Sequence, residues 1–225
     1  IPVVWTLHDC WSFTGHCAYF DYAGCEKWKE GCGKCPQHRN AYPYALFRDN
    51  SRQNYLRKEK AFTKVPGMTL VTPSRWLKGL VEQSFLKDYP VEVIPNGVDQ
   101  EVFAPTEGRF RRKYELQDKK IVLGVANIWE KRKGLDYFIR LSEQLPDPYK
   151  VVLIGVSERQ KKKLPEKILA LPRTGKLNEL AQWYTLADVY VNPTLEDNFP
   201  TTNLEALACG TPVVTFDTGG SPEAL

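Results

Sequence analysis

One segment, residues 188–216, constrains the fold of this chain more than any other part of its sequence. Its first five residues, Asp188 to Asn192, contain an apolar run that predicts a buried strand. A polar loop follows, and we expect a helix that begins near Thr201 or Thr202, whose hydroxyl can cap it. Gly210 stands where a helix C-cap glycine belongs, and a second apolar run follows it. The order of strand, loop, helix and strand predicts an α/β protein with a parallel sheet.

The loop and the helix of this segment carry groups that suit a sugar and a phosphate. Asp197 lies in the loop, and Glu205 lies on the predicted helix, so two carboxylates are placed to accept hydrogen bonds from sugar hydroxyls. The N–H groups at the start of the helix can bind phosphate. Lys133, beside Gly134 at the start of another predicted helix, adds a cation for a diphosphate. These groups predict a pocket for a nucleotide sugar. The alternatives are a solvent-exposed acid for Glu205 and a solvated loop for Lys133.

Length and composition set wider limits. The chain has 225 residues, of which 42% are hydrophobic, and it can form one large domain or two modest ones. No apolar run in the sequence approaches the length of a membrane span. The net charge is only +4 and no nucleic-acid-binding motif accompanies it, so we do not expect nucleic acid as a partner. These features favour a soluble, cytoplasmic protein.

Three regions of the sequence bear on the domain boundary, on the extent of the chain and on contact with a membrane. A helix predicted over residues 44–63 is rich in Lys and Arg, which indicates either a solvated face or contact with an anionic membrane surface or a lipid phosphate. Prolines, glycines and charged residues over 95–115 predict a linker between two domains. The chain begins at Ile1 inside a predicted strand and ends at Leu225 as a helix begins, so we expect a fragment of a longer protein.

A cysteine-rich insert is predicted over residues 10–37. It ends in Cys32-Gly-Lys-Cys35, a spacing that is typical of a zinc knuckle, and Cys17 and Cys25 can complete a tetrahedral set. The rival ligands are Cys10, His16 and His38. Disulfides and free thiols are the alternatives to a structural zinc ion. Cys209 lies apart from the insert and is interpreted as a small core residue.

Aromatic residues are frequent in and around the insert. The set comprises Trp5, Trp11, Phe13, Tyr19, Phe20 and Trp28. Since sugars stack on aromatic faces, the set is a candidate platform for an acceptor sugar. The simpler interpretation, which we prefer, is that these rings form the core of a small insert.

Four motifs follow one another along the chain. They are Val93–Asp99 with Phe103 and Pro105, the run Arg132-Lys133-Gly134-Leu135-Asp136, the pair Asp197-x7-Glu205 within residues 193–214, and Asp217–Glu223. Together they resemble the family 4 retaining glycosyltransferases, which have the GT-B fold and are also described as glycosyl transferases group 1. The resemblance covers most of the chain from residue 69 onward and is to the bacterial cell-surface polysaccharide type.

The resemblance implies a fold and a set of domains. The fold is α/β, GT-B, with two Rossmann-like domains that have parallel sheets, the N-terminal one incomplete. Residues 1–105 are the back part of the N-terminal, acceptor-side domain and contain the insert at 10–37. Residues 106–225 are the nucleotide-sugar-binding domain, truncated at its C-terminus.

The resemblance also implies roles for individual residues. Glu205 holds the ribose hydroxyls, Asp197 contacts the transferred sugar, and His8 faces the donor sugar from the N-terminal domain. Lys133 neutralises the diphosphate leaving group, and His8, Asp197 and Lys133 form the catalytic set. The remaining donor-binding residues are Arg132, Asn198, Phe199, Pro200 and Thr201. The chain departs from the family pattern at Asp197, where Glu is commoner, and at Asn127, where the family usually has an arginine for the diphosphate, so Lys131 or Arg132 is the expected substitute.

The reaction that follows from the resemblance is transfer of a sugar, with retention of anomeric configuration, from a UDP- or GDP-sugar to a glycan or lipid-linked acceptor. The setting is exopolysaccharide, capsule or lipopolysaccharide synthesis, with peripheral contact at the cytoplasmic face of the inner membrane. No cofactor is needed for catalysis, and zinc is expected only in a structural role. The alternatives are another nucleotide-sugar enzyme of GT-B fold, such as an epimerase, and an inactive zinc-stapled binding module.

Overall fold

The computed structural model describes residues 1–39, 43–45 and 47–225. The chain divides into two compact units. Unit 1 comprises residues 1–96, 196–199 and 218–223, and unit 2 comprises residues 97–195, 200–217 and 224–225. The loop that carries Asp197 therefore belongs to unit 1, whereas the strand before it and the helix after it belong to unit 2.

Strands and helices alternate along most of the described chain. The strands are β1 (Val3–Thr6), β2 (Met68–Thr72), β3 (Val91–Val93), β4 (Lys120–Val125), β5 (Tyr149–Ile154), β6 (Ile168–Leu171), β7 (Val189–Asn192) and β8 (Val213–Thr215). The α-helices are α1 (Ser51–Phe62), α2 (Arg75–Val81), α3 (Phe110–Lys113), α4 (Leu135–Gln144), α5 (Glu158–Lys161), α6 (Leu177–Leu186) and α7 (Thr201–Ala208). Short 3-10 helices occupy Trp11–Phe13, Lys27–Lys29, Lys131–Lys133 and Ser221–Ala224. Among the described residues, no helix combines the length and the apolar content that a membrane span requires.

Unit 1 is built on a parallel sheet of order β1-β2-β3 in the described chain. Helix α2 packs its buried Leu77 and Val81 against this sheet, because residues four apart lie on the same helix face. The Ser74 side chain caps α2 by accepting a hydrogen bond from the Leu77 N–H. The basic helix predicted over 44–63 is α1, which begins only at Ser51. The predicted helix therefore extended too far toward the N-terminus. Residue 46, within the predicted range, lies outside the described residues.

The cysteine-rich insert of unit 1 has little regular structure. Phe13, Phe20 and Trp28 are buried in it, and the rings of Phe20 and Trp28 stack with their centroids 4.9 Å apart. These three rings support the interpretation of the aromatic set as core packing. Trp11 is the exception, because 42% of its surface is exposed.

Unit 2 is built on a larger parallel sheet, with the order β6-β5-β4-β7-β8 in the described chain. Its central strands read as continuous apolar runs because helices cover both faces, and Leu123, Val152 and Leu153 have no exposed surface. A Cβ on Gly124 would lie 2.4 Å from the Phe138 ring, so glycine lets α4 pack closely on β4.

Helix α7 differs from its prediction at one end. Pro200 occupies the N-cap and no side chain caps the helix, so the predicted threonine cap is wrong. Thr201 is already the first helical residue, and its hydroxyl bonds to the Glu205 side chain one turn later. At the other end Gly210 has φ of 82° and donates its N–H to the Leu207 carbonyl at 2.9 Å, so the predicted glycine terminus is confirmed. The predicted α/β architecture with parallel sheets is also confirmed.

Candidate functional site

A cavity of unit 2 lies beyond the carboxyl ends of β4, β5 and β6. Its volume is about 730 Å³, within the range of roughly 300–1,000 Å³ that small-molecule sites occupy. The lining residues are Asn127, Ile128, Gly155, Val156, Ser157, Glu158, Arg159, Gln160, Lys163, Pro172 and Arg173. Ligands of open parallel sheets bind at this edge, so the cavity lies where this architecture places a site.

Gly155 shapes the cavity directly after β5. Its φ is 91°, and an added Cβ would lie 1.7 Å from the Ala126 carbonyl oxygen. The N–H groups of Gly155 and Val156 both donate to the Leu171 carbonyl, at 3.1 and 3.0 Å. Only glycine fits this turn, and the backbone there is held against both neighbouring strand ends.

The start of α5 forms another wall of the cavity. Ser157 and Gln160 form a reciprocal capping box, and the Gln160 side-chain amide donates to the Trp129 carbonyl at 2.6 Å. These bonds fix the turn that presents Glu158, Arg159 and Gln160 to the cavity.

The lining of the cavity carries more positive than negative charge. Arg159, Lys163 and Arg173 line it, and Glu158 is the single acid among its described lining residues. This balance favours an anionic ligand, because a guanidinium or an ammonium group binds a phosphate oxygen with charge-assisted hydrogen bonds.

The element that contains Arg132 and Lys133 is positioned by the segment that follows β7. Leu195 donates its N–H to the Arg132 carbonyl at 2.7 Å, and an added Cβ on Gly134 would lie 2.2 Å from the Pro193 carbonyl oxygen. Arg132 also pairs with Glu130, at 3.0 Å between Nε and Oε2. Glycine at position 134, with φ of 75°, therefore brings the lysine-glycine turn and the end of β7 together.

Glu205 lies in unit 2, partly buried on α7. Its Oε2 accepts a 2.9 Å hydrogen bond from the Tyr184 hydroxyl, and its carboxylate also accepts one from Thr201. Burial raises the pKa of Glu205, while these two hydrogen bonds act in the opposite direction. Burial also raises the pKa of Tyr184 well above its ordinary value, so this hydroxyl keeps its proton and acts as a donor.

The loop with Asp197 is held within unit 1. The Asn198 side-chain amide donates to the His8 carbonyl at 3.0 Å, and the Ser74 hydroxyl donates to Asn198 Oδ1 at 2.5 Å. The Asn198 N–H donates to Asp197 Oδ1 at 3.0 Å. The structure therefore places the backbone carbonyl of His8 next to Asn198, which is itself hydrogen-bonded to Asp197.

The Gly219-Gly220 turn packs directly on this loop. A Cβ on Gly219 would lie 2.1 Å from the Asp197 carbonyl oxygen, and one on Gly220 would lie 2.0 Å from the Asn198 carbonyl oxygen. The Gly220 N–H donates to the Asp197 carbonyl at 3.2 Å. Two glycines are needed here because two backbones are in contact.

Glu223, at the end of the same motif, caps helix α2. Its carboxylate accepts hydrogen bonds from the N–H groups of Arg75 and Trp76, at 2.7 and 2.8 Å. A carboxylate at this position satisfies unpaired N–H groups of the first turn and stabilises the helix dipole. This role of Glu223 is structural.

The predicted zinc site receives no support from the structure. Within the described residues, no group of three or more His, Cys, Asp or Glu side chains is arranged to hold a metal ion. Cys17 and Cys35 instead lie with their Sγ atoms 3.6 Å apart, and this hydrogen bond lowers the pKa of Cys35 to about 6. The Cys32 sulfur accepts the Gly15 N–H at 3.1 Å, and Cys25 packs against the apolar core of unit 1. None of the six cysteines, Cys10 and Cys209 included, is in a disulfide bond.

Sequence comparison finds a family that matches the second half of the chain. The sequence model of the family "Glycosyl transferases group 1" matches residues 119–225.

We refer to residues 119–225, which match this family model, as the group 1 domain.

Relatives extend the likeness beyond the group 1 domain. The chain is 27% identical over 240 residues to "Putative colanic acid biosynthesis glycosyl transferase WcaC" of Escherichia coli K12, covering all of this chain and 54% of that protein. It is 29% identical over 170 residues to "Alpha-galactosylglucosyldiacylglycerol synthase" of Streptococcus pneumoniae, covering 69% of this chain and 45% of that protein. The chain thus spans about half the length of these curated relatives.

The fold is also found in solved structures. The structure of Anabaena Alr3699/HepE in complex with UDP-glucose superposes with a TM-score of 0.66 at 16% identity, covering all of this chain and 56% of that one. At this identity the likeness establishes the fold alone. The predicted GT-B fold is therefore confirmed, and the match of residues 119–225 supports its group 1 type.

Sequence reasoning about the group 1 domain missed most of the cavity lining. Asn127 was considered only for its departure from the family pattern, while Gly155, Ser157, Arg159 and Arg173 were given no role. A signal existed, because Gly155 directly follows a strand and Ser157 precedes a predicted helix. Neither Glu205 nor Lys133 is among the described lining residues of this cavity.

Proposed function

We propose that this chain is part of a retaining glycosyltransferase that transfers a sugar from a nucleotide diphosphate to a glycan or lipid-linked acceptor. The observation that carries the proposal is the cavity of about 730 Å³ at the carboxyl ends of the strands of a group 1 domain. Such a cavity suits part of a nucleotide, because it combines close backbone approach at Gly155 with cationic side chains.

The donor is a UDP- or GDP-sugar in this proposal. Arg159 and Arg173 lie in the cavity, while Arg132 and Lys133 contribute positive charge at the turn before α4 and bind the diphosphate. Glu205 holds the ribose hydroxyls with the carboxylate that Tyr184 orients. The complex of Alr3699/HepE with UDP-glucose supports a nucleotide sugar as the co-substrate.

The chemical step needs positioning and charge stabilisation more than a covalent intermediate. Asp197 binds the transferred sugar and His8 faces it. The amides of Asn198, Phe199 and Thr201 lie near the sugar and the phosphates, while Pro200, which has no N–H, contributes only its ring and carbonyl. Lys133 stabilises the leaving diphosphate, whose oxygen takes the acceptor proton on the face where the new bond forms. Retention of configuration follows from this same-face attack.

The acceptor and the setting are inferred from the relatives. One relative is named for colanic acid biosynthesis and another for a diacylglycerol glycolipid, so a growing polysaccharide or a lipid-linked sugar is the acceptor class we propose. The location is cytoplasmic, with peripheral contact at the inner membrane through the basic face of α1. The proposal also places the acceptor-side domain at residues 1–105 and the nucleotide-sugar-binding domain at residues 106–225.

Product analysis tests the proposal. The protein is incubated with UDP- and GDP-sugars and a panel of polysaccharide and lipid-linked acceptors, and the anomeric configuration of the product is read by proton NMR. An axial donor that gives an axial product supports retention, whereas an inverted product contradicts it. Conversion of the free nucleotide sugar into its epimer, without transfer, favours the epimerase alternative. Binding without any turnover favours the binding-module alternative.

A further inference from the structure

Unit 1 contains a separate cavity that has no role in the account above. Its volume is about 220 Å³, and Trp11, His16, Asn54, Arg57 and Lys58 are among its lining residues. This volume is below the range of roughly 300–1,000 Å³ for drug-sized ligands and suits a single sugar ring better than an oligosaccharide.

Two elements of unit 1 meet at this cavity. Trp11 lies three residues after His8, in the segment that leaves the carboxyl end of β1, where a parallel sheet places its ligands. Asn54, Arg57 and Lys58 lie on α1 at spacings of three and four residues, so they share one face of that helix. The segment that follows His8 and the basic face of α1 therefore line the same cavity.

Lys58 is a buried cation whose described hydrogen-bond acceptors are uncharged. Only 8% of its surface is exposed, and its ammonium donates to the carbonyl oxygens of Trp11 and Thr14, at 2.5 and 2.9 Å. Burial lowers the pKa of Lys58 to about 8, although Asp9 and neighbouring thiols act in the opposite direction. An anion in the cavity would stabilise this charge, because carbonyl dipoles replace lost hydration only in part.

Trp11 supplies an aromatic surface at the same place. The Lys58 ammonium lies 3.4 Å from the centroid of its ring, and the Asp9 carboxylate fixes its backbone by accepting the Trp11 N–H at 2.7 Å. Phe13, Phe20 and Trp28 of the same insert are buried, whereas Trp11 is 42% exposed. An exposed, fixed indole beside two cations is suited to a ring that carries a negative charge.

From this arrangement we propose that the unit 1 cavity binds an anionic sugar unit of the acceptor. The sugar ring packs against Trp11, its carboxylate or phosphate lies between Lys58 and Arg57, and Asn54 hydrogen-bonds a hydroxyl. The identification of the ligand as acceptor rests on the proposed glycosyltransferase function, but the binding of an anionic sugar does not require that function.

Ligand-observed NMR on the whole 225-residue protein tests this proposal. The probes are glucuronate, glucose 1-phosphate and neutral glucose, and we expect saturable binding of at least one anionic probe with a Kd on the order of 1 mM. Binding of glucuronate alone identifies a carboxylated sugar, and binding of glucose 1-phosphate alone identifies a phosphorylated one. Equal binding of neutral glucose, or no binding of either anion, overturns the proposal.

Surface variants on α1 keep the test independent of folding. Arg57→Gln removes an exposed charge of the cavity and should weaken the anionic probe about tenfold, the loss of one charge-assisted contact. Lys60→Gln removes an exposed charge on the same helix that does not line the cavity, and it should leave binding unchanged. Trp11→Leu should weaken the probe while the backbone bonds of residue 11 persist. Equal losses of probe affinity in the Arg57 and Lys60 variants would show that the positive charge of α1 attracts the anion non-specifically. That result would overturn the proposal.

A parallel titration with UDP and GDP separates this proposal from the glycosyltransferase function. Arg57→Gln should not change nucleotide affinity, because the nucleotide is assigned to unit 2. If anionic sugars bind but no nucleotide does, the unit 1 site stands and the proposed function fails. If a nucleotide binds and no anionic sugar does, the inference fails and the proposed function stands.

Discussion

The Tyr184 hydroxyl donates a 2.9 Å hydrogen bond to Oε2 of Glu205, and this bond joins α6 to α7 inside the group 1 domain. Tyr184 is fully buried, and Glu205 is a partly buried carboxylate on the helix that follows β7. Burying a charged carboxylate costs free energy unless hydrogen bonds compensate for it. We propose that this acid is placed there to bind a ligand.

The first prediction concerns nucleotide affinity. Glu205→Gln keeps the shape of the side chain and an acceptor for Tyr184, but it removes the charge that receives the ribose hydroxyls. We expect UDP or GDP affinity to fall at least tenfold, since a hydrogen bond to a charged group contributes about 1.5–3 kcal/mol. Calorimetric titration measures this change. Glu143→Gln, an exposed position on α4, is the matched control, and a loss of the same size there would remove Glu205 from the site.

The second prediction concerns stability against pH. Burial raises the pKa of Glu205, so between the unfolded-state pKa and the higher folded-state pKa the native protein binds more protons than the unfolded chain. Glu205 therefore contributes stability that is fully present below the unfolded pKa and is lost as pH rises through the folded pKa. The Glu205→Gln variant does not lose this stability, because glutamine does not ionise. Urea unfolding without ligand should show the variant gaining stability relative to the wild type as pH rises across that window. A variant that loses stability relative to the wild type as pH rises across that window would contradict this sign.

The third prediction concerns the turn after β5. Gly155→Ala places a methyl group against the Ala126 carbonyl and strains a backbone with φ of 91°. We expect a loss of about 2–4 kcal/mol in unfolding free energy, together with weaker nucleotide binding. Gly175→Ala is the control, because an added Cβ there meets nothing within 4 Å. Wild-type stability in the Gly155 variant would show that the turn is not constrained as described.

The fourth prediction concerns the cap of α2. Glu223→Ala leaves the N–H groups of Arg75 and Trp76 without their carboxylate, and it should lower the unfolding free energy by about 1–2 kcal/mol. Chemical denaturation measures the change. Glu92→Ala removes an exposed acid of the same unit and should cost much less. Equal effects of the two substitutions would argue against the cap.

The elements that sequence could predict are those determined by local physics. The β4 and β5 runs are apolar because both faces of the sheet are covered, and Ser74 and Gly210 are recognisable from residues within one helical turn. The start of α1 was placed too early because Lys and Arg indicate exposure but do not mark where a helix begins.

The site was less predictable because its contacts are distant in sequence. Glu223 caps a helix 148 residues earlier in the chain, and no local pattern indicates that bond. The Asn198 side chain contacts the His8 carbonyl across 190 residues of sequence, and no local pattern indicates this bond either. Thr201 was assigned as a cap from its residue type, but it lies one position too late and bonds to Glu205 instead.

Backbone NMR of the labelled protein during titration with UDP- and GDP-sugars tests the central claim most directly. The account predicts that one of these donors causes saturable shifts at Gly155, Val156, Ser157 and Arg173, which line the cavity of the group 1 domain. Absence of binding by every nucleotide sugar, or saturable shifts that leave these four residues unchanged, would contradict it.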